Sequence, residues 1–270
     1  MKNFALIGAA GYIATRHMEA IKATGNNLIA TLDKHDSVCI LDKYFPDADF
    51  FVEFERFDRH IEKLKRQGET KQIDFVTICS PNYLHDSHIR FALRAGAHAI
   101  CEKPLVLNPW NVDALYHLEQ ETGKSIYPIL QLRLHPTITN LKKIISISES
   151  NRKYNIDLSY ITSRGNWYHH SWKGDIVKSG GIGTNIGIHF FDMLLFLFGD
   201  LKESIVHIAD QTRTAGLLNL EKADIRWFLS INRNDLPSQA LLEKQSTYRS
   251  IKINGEEIEF SHGFTELHTE

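Results

Sequence analysis

The chain has 270 residues, 43% of them hydrophobic and 24% charged, a balance that supplies one large core or two smaller ones and excludes disorder and a coiled coil. With 31 basic residues against 33 acidic ones the formal charge is -2, which offers no basic field to nucleic acid and no polybasic anchor to a membrane. Cys39, Cys79 and Cys101 are too few and too scattered for a disulfide framework, so a reducing compartment, the cytoplasm by default, is expected. The opening MKNFALIGAAGYI is interrupted by Gly8 too early for a signal peptide, and no later segment approaches ~18 uninterrupted apolar residues.

In the first half, short apolar runs alternate with helix-like stretches, the pattern of parallel strands joined by crossover helices. The expected order is strand Phe4 to Ile7, helix Tyr12 to Ala23, strand Leu28 to Leu32, strand Phe50 to Val52 and helix Glu55 to Arg66. Strand Phe75 to Cys79 follows, then a helix capped by Asn82 and stopped at Gly96, strand His98 to Cys101, a helix near Asn111 to Thr122 and strand Ile126 to Gln131. After Pro136 the rhythm changes. A helix (Thr137 to Ile147) leads through a polar break, Ser148 to Lys153, into strand Asn155 to Ser163. Ile205 to Ala209, Leu217 to Leu220, Asp224 to Ile231, Tyr248 to Ile253 and Glu257 to Phe260 read as strands, the last two joined by a hairpin at Asn254-Gly255. These strands follow one another without helices between them, so a largely antiparallel sheet is expected. Gly183 to Phe198 is apolar around most of its circumference and reads as a buried helix. The expected class is α/β: a doubly wound parallel sheet over residues 1–124, then an α/β domain with an open, largely antiparallel sheet over 125–270.

Five stretches carry chemistry. Gly8-Ala9-Ala10-Gly11-Tyr12-Ile13-Ala14 lies between a strand and a helix, where small residues let backbone approach a pyrophosphate and the helix start supplies free N–H groups. Its spacing is GxxGxxA rather than GxGxxG, a weak signal alone. Asp33, 22 residues beyond Gly11 at the end of the second strand, strengthens it, because a carboxylate there accepts the ribose hydroxyls of NAD and repels a 2′-phosphate. Lys34 and His35 beside it keep NADP open as an alternative. Cys79-Ser80-Pro81-Asn82 ends the fourth strand at the expected crevice, although Ser-Pro-Asn also makes an ordinary turn. Glu102-Lys103-Pro104 ends the fifth strand, where Lys103 can point an ammonium at a substrate oxygen; a solvated strand-end pair is the plainer alternative.

In Ser179 to Asp192, helical spacing puts Asn185, His189 and Asp192 on one face amid apolar neighbours, with His189 suited to general-base work and Asp192 equally able to be structural. Arg164 to Gly174 mixes rings, hydroxyls and cations, which suits a sugar nucleotide or simply a loop that covers the sheet. The pairs His169-His170 and His85/His88 lack Cys or carboxylate partners, so no metal is expected.

Taken together these residues resemble the glucose-fructose oxidoreductase/inositol dehydrogenase (Gfo/Idh/MocA) family. Glu102-Lys103-Pro104 and the stretch from Gly180 to Asp192 are its most specific elements. Within the family, GAAGYIA, Leu130 to Pro136 and Arg164 to Asp175 are most similar to the UDP-N-acetylglucosaminuronate 3-dehydrogenases of bacterial O-antigen biosynthesis. The resemblance implies an NAD-dependent oxidation of the sugar 3′-hydroxyl in the cytoplasm, with Lys103 and His189 as the catalytic pair. It implies cofactor contacts from Gly8, Gly11, Tyr12, Ile13, Asp33, Ser80, Pro81, Asn82, His85, Glu102, Lys103 and Gln131. Substrate contacts would come from Lys103, Arg133, Arg164, Trp167, Tyr168, Ser171, Lys173, Asn185 and His189. Asn185 stands where many members have an aspartate, which disfavours an inositol or simple-sugar substrate. The resemblance further implies reoxidation of NADH by 2-oxoglutarate, a homotetramer built through the open sheet, and a helix and tail beyond Glu270 in related chains. Two other functions stay open: the same fold acting on a free sugar, polyol or dihydrodiol, and a catalytically silent NAD(H)-binding sensor.

Overall fold

The computed structural model describes residues 1–147, 153–258 and 267 and separates into two compact units, Met1–Ile129 and Leu130–Leu267. The first contains β1 (Asn3–Ile7), α1 (Ala14–Ala23), β2 (Asn27–Leu32), α2 (Ile40–Tyr44), β3 (Asp49–Phe51) and α3 (Phe54–Arg66). It continues with β4 (Phe75–Ile78), a 3-10 turn (Asn82–Leu84), α4 (His85–Arg94), β5 (His98–Cys101), α5 (Trp110–Thr122) and β6 (Ile126–Pro128). The strands stand in the order β3-β2-β1-β4-β5-β6, every neighbouring pair parallel. Helices cover both faces. Phe57, Ile61, Leu93 and Leu115 pack on one side of the sheet, and Met18, Ile21 and Leu41 on the other. This is why β4 is buried along most of its length.

The second unit opens with a 3-10 turn (Gln131–Leu134), α6 (Pro136–Ile147), β7 (Tyr154–Thr162), α7 (Asn166–His170) and α8 (Ile176–Ser179). A π-helical turn (Gly183–Gly187) then runs into α9 (Ile188–Phe198). After it come β8 (Leu201–Ala209), β9 (Arg213–Leu220), β10 (Ala223–Ser230), α10 (Ser238–Leu242), β11 (Thr247–Ile253) and β12 (Glu256–Glu257). The sheet order is β12-β11-β7-β10-β9-β8. All pairings are antiparallel except β7 with β10, because the long connection between those two carries α9 across the sheet. Phe190, Met193, Leu194 and Leu197 of α9 share one core with Ile156, Leu158, Trp227 and Leu229.

Several expectations are corrected. The division at 124/125 cuts β6 from its sheet: Ile126, Tyr127 and Pro128 pair with Ala99, Ile100 and Cys101, and the first unit runs on to Ile129. The strand expected up to Gln131 stops at Pro128, and Gln131 opens a 3-10 turn. The N-cap position of α4 is Leu84 rather than Asn82, which lies buried in the preceding 3-10 turn. The expected loop after β7 contains α7 and α8, each too short to show periodicity in sequence. By length and composition alone the run Ile176–Phe198 qualifies as a membrane span, yet half of its most apolar window is buried inside the protein, as in a core helix. The hairpin at Asn254-Gly255 forms, with φ of 53° and 89°. Most of the polar break after Ile147 and the end of the last expected strand lie outside the described residues.

Candidate active site

Strand order reverses between β1 and β4, which opens a crevice at the carboxyl ends of these strands. The glycine turn follows β1, and Cys79-Ser80-Pro81-Asn82 follows β4. The two turns touch. Gly8 has φ +93°, and a Cβ built on it would lie 2.6 Å from the Cys79 carbonyl, so only glycine fits. The first turn of α1 contains no acidic residue and no side-chain cap, leaving a helix start suited to an anion. Asp33 closes the turn from β2: its Oδ2 accepts from Ala10 N–H and its Oδ1 from His35 N–H, both at 2.9 Å. A carboxylate has about four lone-pair sites, so this one is oriented and still able to accept from two hydroxyls. Tyr12 is exposed and Ile13 half-buried at the start of α1. These features fit a dinucleotide, the nicotinamide member of which supplies a hydride acceptor.

At the end of β5, Glu102 is buried and its Oε1 meets His17 Nε2 of α1 at 2.9 Å. His85 is fully buried, with Nδ1 2.7 Å from Pro104 O and Nε2 2.8 Å from Ser80 O. Ser80 turns its hydroxyl inward to His88 Nδ1 at 2.9 Å. Burial pushes the His88 imidazole down to about 4, and His85 beside it acts in the same direction. Glu102, His85 and the Ser80 hydroxyl, all expected at the cofactor, hold the turns at this corner together. Lys103 and Pro81, by contrast, are half-buried. His17 carried no sequence signal, being one polar residue on the buried face of a helix.

In the second unit, Arg133 and Asp192 pair. Arg133 Nε donates to Asp192 Oδ2 at 2.8 Å and Nη2 donates to Oδ1, so the guanidinium expected to grip substrate has two donors committed to protein. Asp192 is the structural member of the expected polar stripe. Asn185 is buried in the π-helical turn, and His189 is half-buried one residue into α9. Gln131 Oε1 is buried with no hydrogen-bond partner among the described residues. The Arg164 to Lys173 stretch divides in two. Tyr168 is 4% exposed and belongs to the core, and the half-buried Ser171 donates its hydroxyl to Tyr168 O at 2.8 Å. Trp167 is 55% exposed, Lys173 Nζ lies 5.7 Å from its ring centre, and Arg164 sits 5.9 Å from the Tyr168 ring. Burial lowers the Lys173 pKa, and Arg164 nearby adds to this. Two close cations on aromatic supports make an anion-binding arrangement. Arg249 of β11 lies 5.4 Å from the Tyr160 ring and 6.0 Å from the Phe190 ring. Among the described residues no group of three or more His, Cys, Asp or Glu side chains is arranged for a metal.

Residues 2–129 match the oxidoreductase family model for an NAD-binding Rossmann fold, and residues 152–257 match that family's C-terminal alpha/beta domain. The chain belongs to the Gfo/Idh/MocA oxidoreductase family. The WlbA (WbpB) dehydrogenase of Thermus thermophilus, solved with NAD and alpha-ketoglutarate, is 48% identical with a TM-score of 0.95, over 100% of this chain and 86% of that one. The same enzyme with NAD and UDP-GlcNAcA gives a TM-score of 0.94. The WlbA enzyme of Chromobacterium violaceum, 19% identical over 98% of this chain and 79% of that one, has a TM-score of 0.78 and shows the shared fold. An inositol 2-dehydrogenase of Rhizobium meliloti is 28% identical over 82% of the chain. The chain spans 60% of that protein and 35% of an oxidoreductase from Synechocystis.

Proposed function

We propose that this Gfo/Idh/MocA protein oxidises the 3′-hydroxyl of a UDP-N-acetylated glucuronic acid to the 3-keto sugar, with NAD as hydride acceptor. The observation that carries this reading is the 48% identity, along the whole chain, to an enzyme solved with NAD and UDP-GlcNAcA. Arg164, Lys173 and the exposed Trp167 ring supply the cations and apolar face that a sugar nucleotide requires. Asn185 orients the sugar. His189 takes the hydroxyl proton while Lys103 stabilises charge on the oxygen as the C3′–H bond breaks, or the two exchange these roles.

The second half of the cycle is a reduction of 2-oxoglutarate at its keto carbon to the 2-hydroxy acid, which returns the cofactor to its oxidised form. Support comes from the relative solved with alpha-ketoglutarate. With Arg133 held by Asp192, the cations placed for a carboxylate are Arg164 and Lys173. The reading places the enzyme in the cytoplasm and in O-antigen sugar biosynthesis. It also includes a homotetramer built through the open sheet, for which the exposed apolar residues Leu201, Ile205, Val206 and Ile208 of β8 are the support.

Lys103→Ala and His189→Ala test the chemistry. Both are expected to bind NAD and lose turnover of UDP-GlcNAcA, and near-wild-type rates in both would sink the assignment. Affinity for UDP and UDP-sugars against free sugars separates the sugar-nucleotide reading from a polyol dehydrogenase.

A further inference from the structure

We propose that His85 is a positioning residue for Lys103. It ties the turn that carries the lysine to the turn after β4, so the two are held in one register. The inference rests on the reading of Lys103 as a catalytic group.

His85 is 0% exposed and acts on a bound molecule only through what it holds. Its two ring nitrogens face two backbone carbonyls, and the neutral imidazole that burial favours donates its one N–H to one of them at a time. Pro104 O, directly after Lys103, lies 2.7 Å from Nδ1, and Ser80 O, at the crevice end of β4, lies 2.8 Å from Nε2. The β4–β5 ladder extends to Glu102 N–H donating to Ile78 O at 3.0 Å; past that bond the strands have ended, and the imidazole spans the two turns. Neighbouring groups brace the same corner, with Glu102 against His17 and the Ser80 hydroxyl against His88. The backbone on either side of Lys103 is thereby fixed. With its N–H on Nδ1 the ring donates to Pro104 O and ties the lysine's turn to the start of α4, and an apolar side chain in its place would leave that carbonyl without its donor in a buried corner. A displacement of about 1 Å at a reacting group costs on the order of 100-fold in rate, so a loose turn would be felt in kcat.

The test uses the full chain loaded with NAD and four variants: His85→Leu, His85→Gln, Lys103→Ala and the double His85→Leu/Lys103→Ala. His85→Leu is expected to lower kcat by about tenfold or more while the Kd for NAD stays within about threefold. His85→Gln, which keeps an amide donor, is expected to recover most of that loss. The double variant is expected to be no slower than Lys103→Ala, because the ring acts through the lysine. A second readout needs no substrate. Acetylation of lysines by acetic anhydride across pH, read by mass spectrometry, is expected to show the Lys103 half-labelling pH moved by about half a unit or more in His85→Leu, with other lysines unmoved. An unmoved Lys103 profile in folded His85→Leu overturns the proposal. So do rate losses that multiply in the double variant, or loss of NAD affinity in step with kcat. Full turnover by Lys103→Ala sinks the catalytic reading of the lysine by itself, and the labelling profile still decides whether His85 positions it.

Discussion

Arg133 and Asp192, 59 residues apart, are joined by a two-pronged ion pair in which the carboxylate side chain is 8% exposed and the guanidinium side chain 48%. The arginine also lies 5.5 Å from the Phe196 ring, so one residue of the 3-10 turn is pinned to two positions of α9. Asp192→Ala and Arg133→Ala are each expected to cost roughly 1–3 kcal/mol of stability in urea titrations. KM for the sugar nucleotide should move less than the stability does. A large rise in KM with unchanged stability would return Arg133 to the ligand.

Gly8→Ala is expected to abolish NAD binding. Its Cβ would enter the Cys79–Ser80 backbone, with 2.8 Å to Ser80 N, and the turn after β4 must move. Gly123→Ala is the control: its φ is +65° and nothing lies within 4 Å of the added carbon, so only conformational strain of about 1 kcal/mol is expected. NADH fluorescence titration and thermal unfolding of both variants check the contrast.

Asp33→Asn removes the negative charge and keeps one oxygen acceptor. NAD affinity is expected to fall by about tenfold or more through loss of charge-assisted hydrogen bonds. NADP affinity should rise or hold, since the repulsion of a 2′-phosphate is gone. An unchanged ratio of the two dissociation constants would show that Asp33 serves only Ala10 and His35.

His88 ties stability to pH. Its imidazole titrates at about 4 in the folded chain and near 6.5 when unfolded. Between these values the unfolded state binds the extra proton, so stability is present above pH 6.5 and falls as pH drops toward 4. The full effect is roughly 3 kcal/mol. His88→Phe, which keeps a ring to stack on Phe54, is expected to flatten the difference in unfolding free energy between pH 7 and pH 4.5 relative to wild type. An identical pH slope in variant and wild type would contradict it.

Each strand of the first sheet was legible in sequence to within a few residues, because parallel strands buried on both faces leave apolar runs bounded by glycine and proline. The places of the glycine turn and Asp33 at strand ends were legible, and the structure puts the turn against Cys79 and Asp33 on Ala10 N–H. The burial of Tyr168 and the bond from the Ser171 hydroxyl to Tyr168 O were not legible: residue type says which bond a group can make, not which partner it finds. The π-helical turn at Gly183–Gly187 left no mark in the pattern, and neither did the close packing of Gly187 on Leu229 and Phe191, where an added Cβ would lie 2.7 Å from either side chain.

By itself, then, the sequence determined the βα rhythm, a largely antiparallel second sheet with one buried helix, the family and the chemistry-bearing residue types. Those properties follow from local periodicity and from residues adjacent in the chain. Only the tertiary structure decided that His85 and Glu102 brace the turns, that Asp192 claims Arg133, and that Arg164 and Lys173 are the paired cations. Each of these is a choice among partners far apart in sequence, made by desolvation: a buried polar group must take whichever partner the packing brings within hydrogen-bond reach.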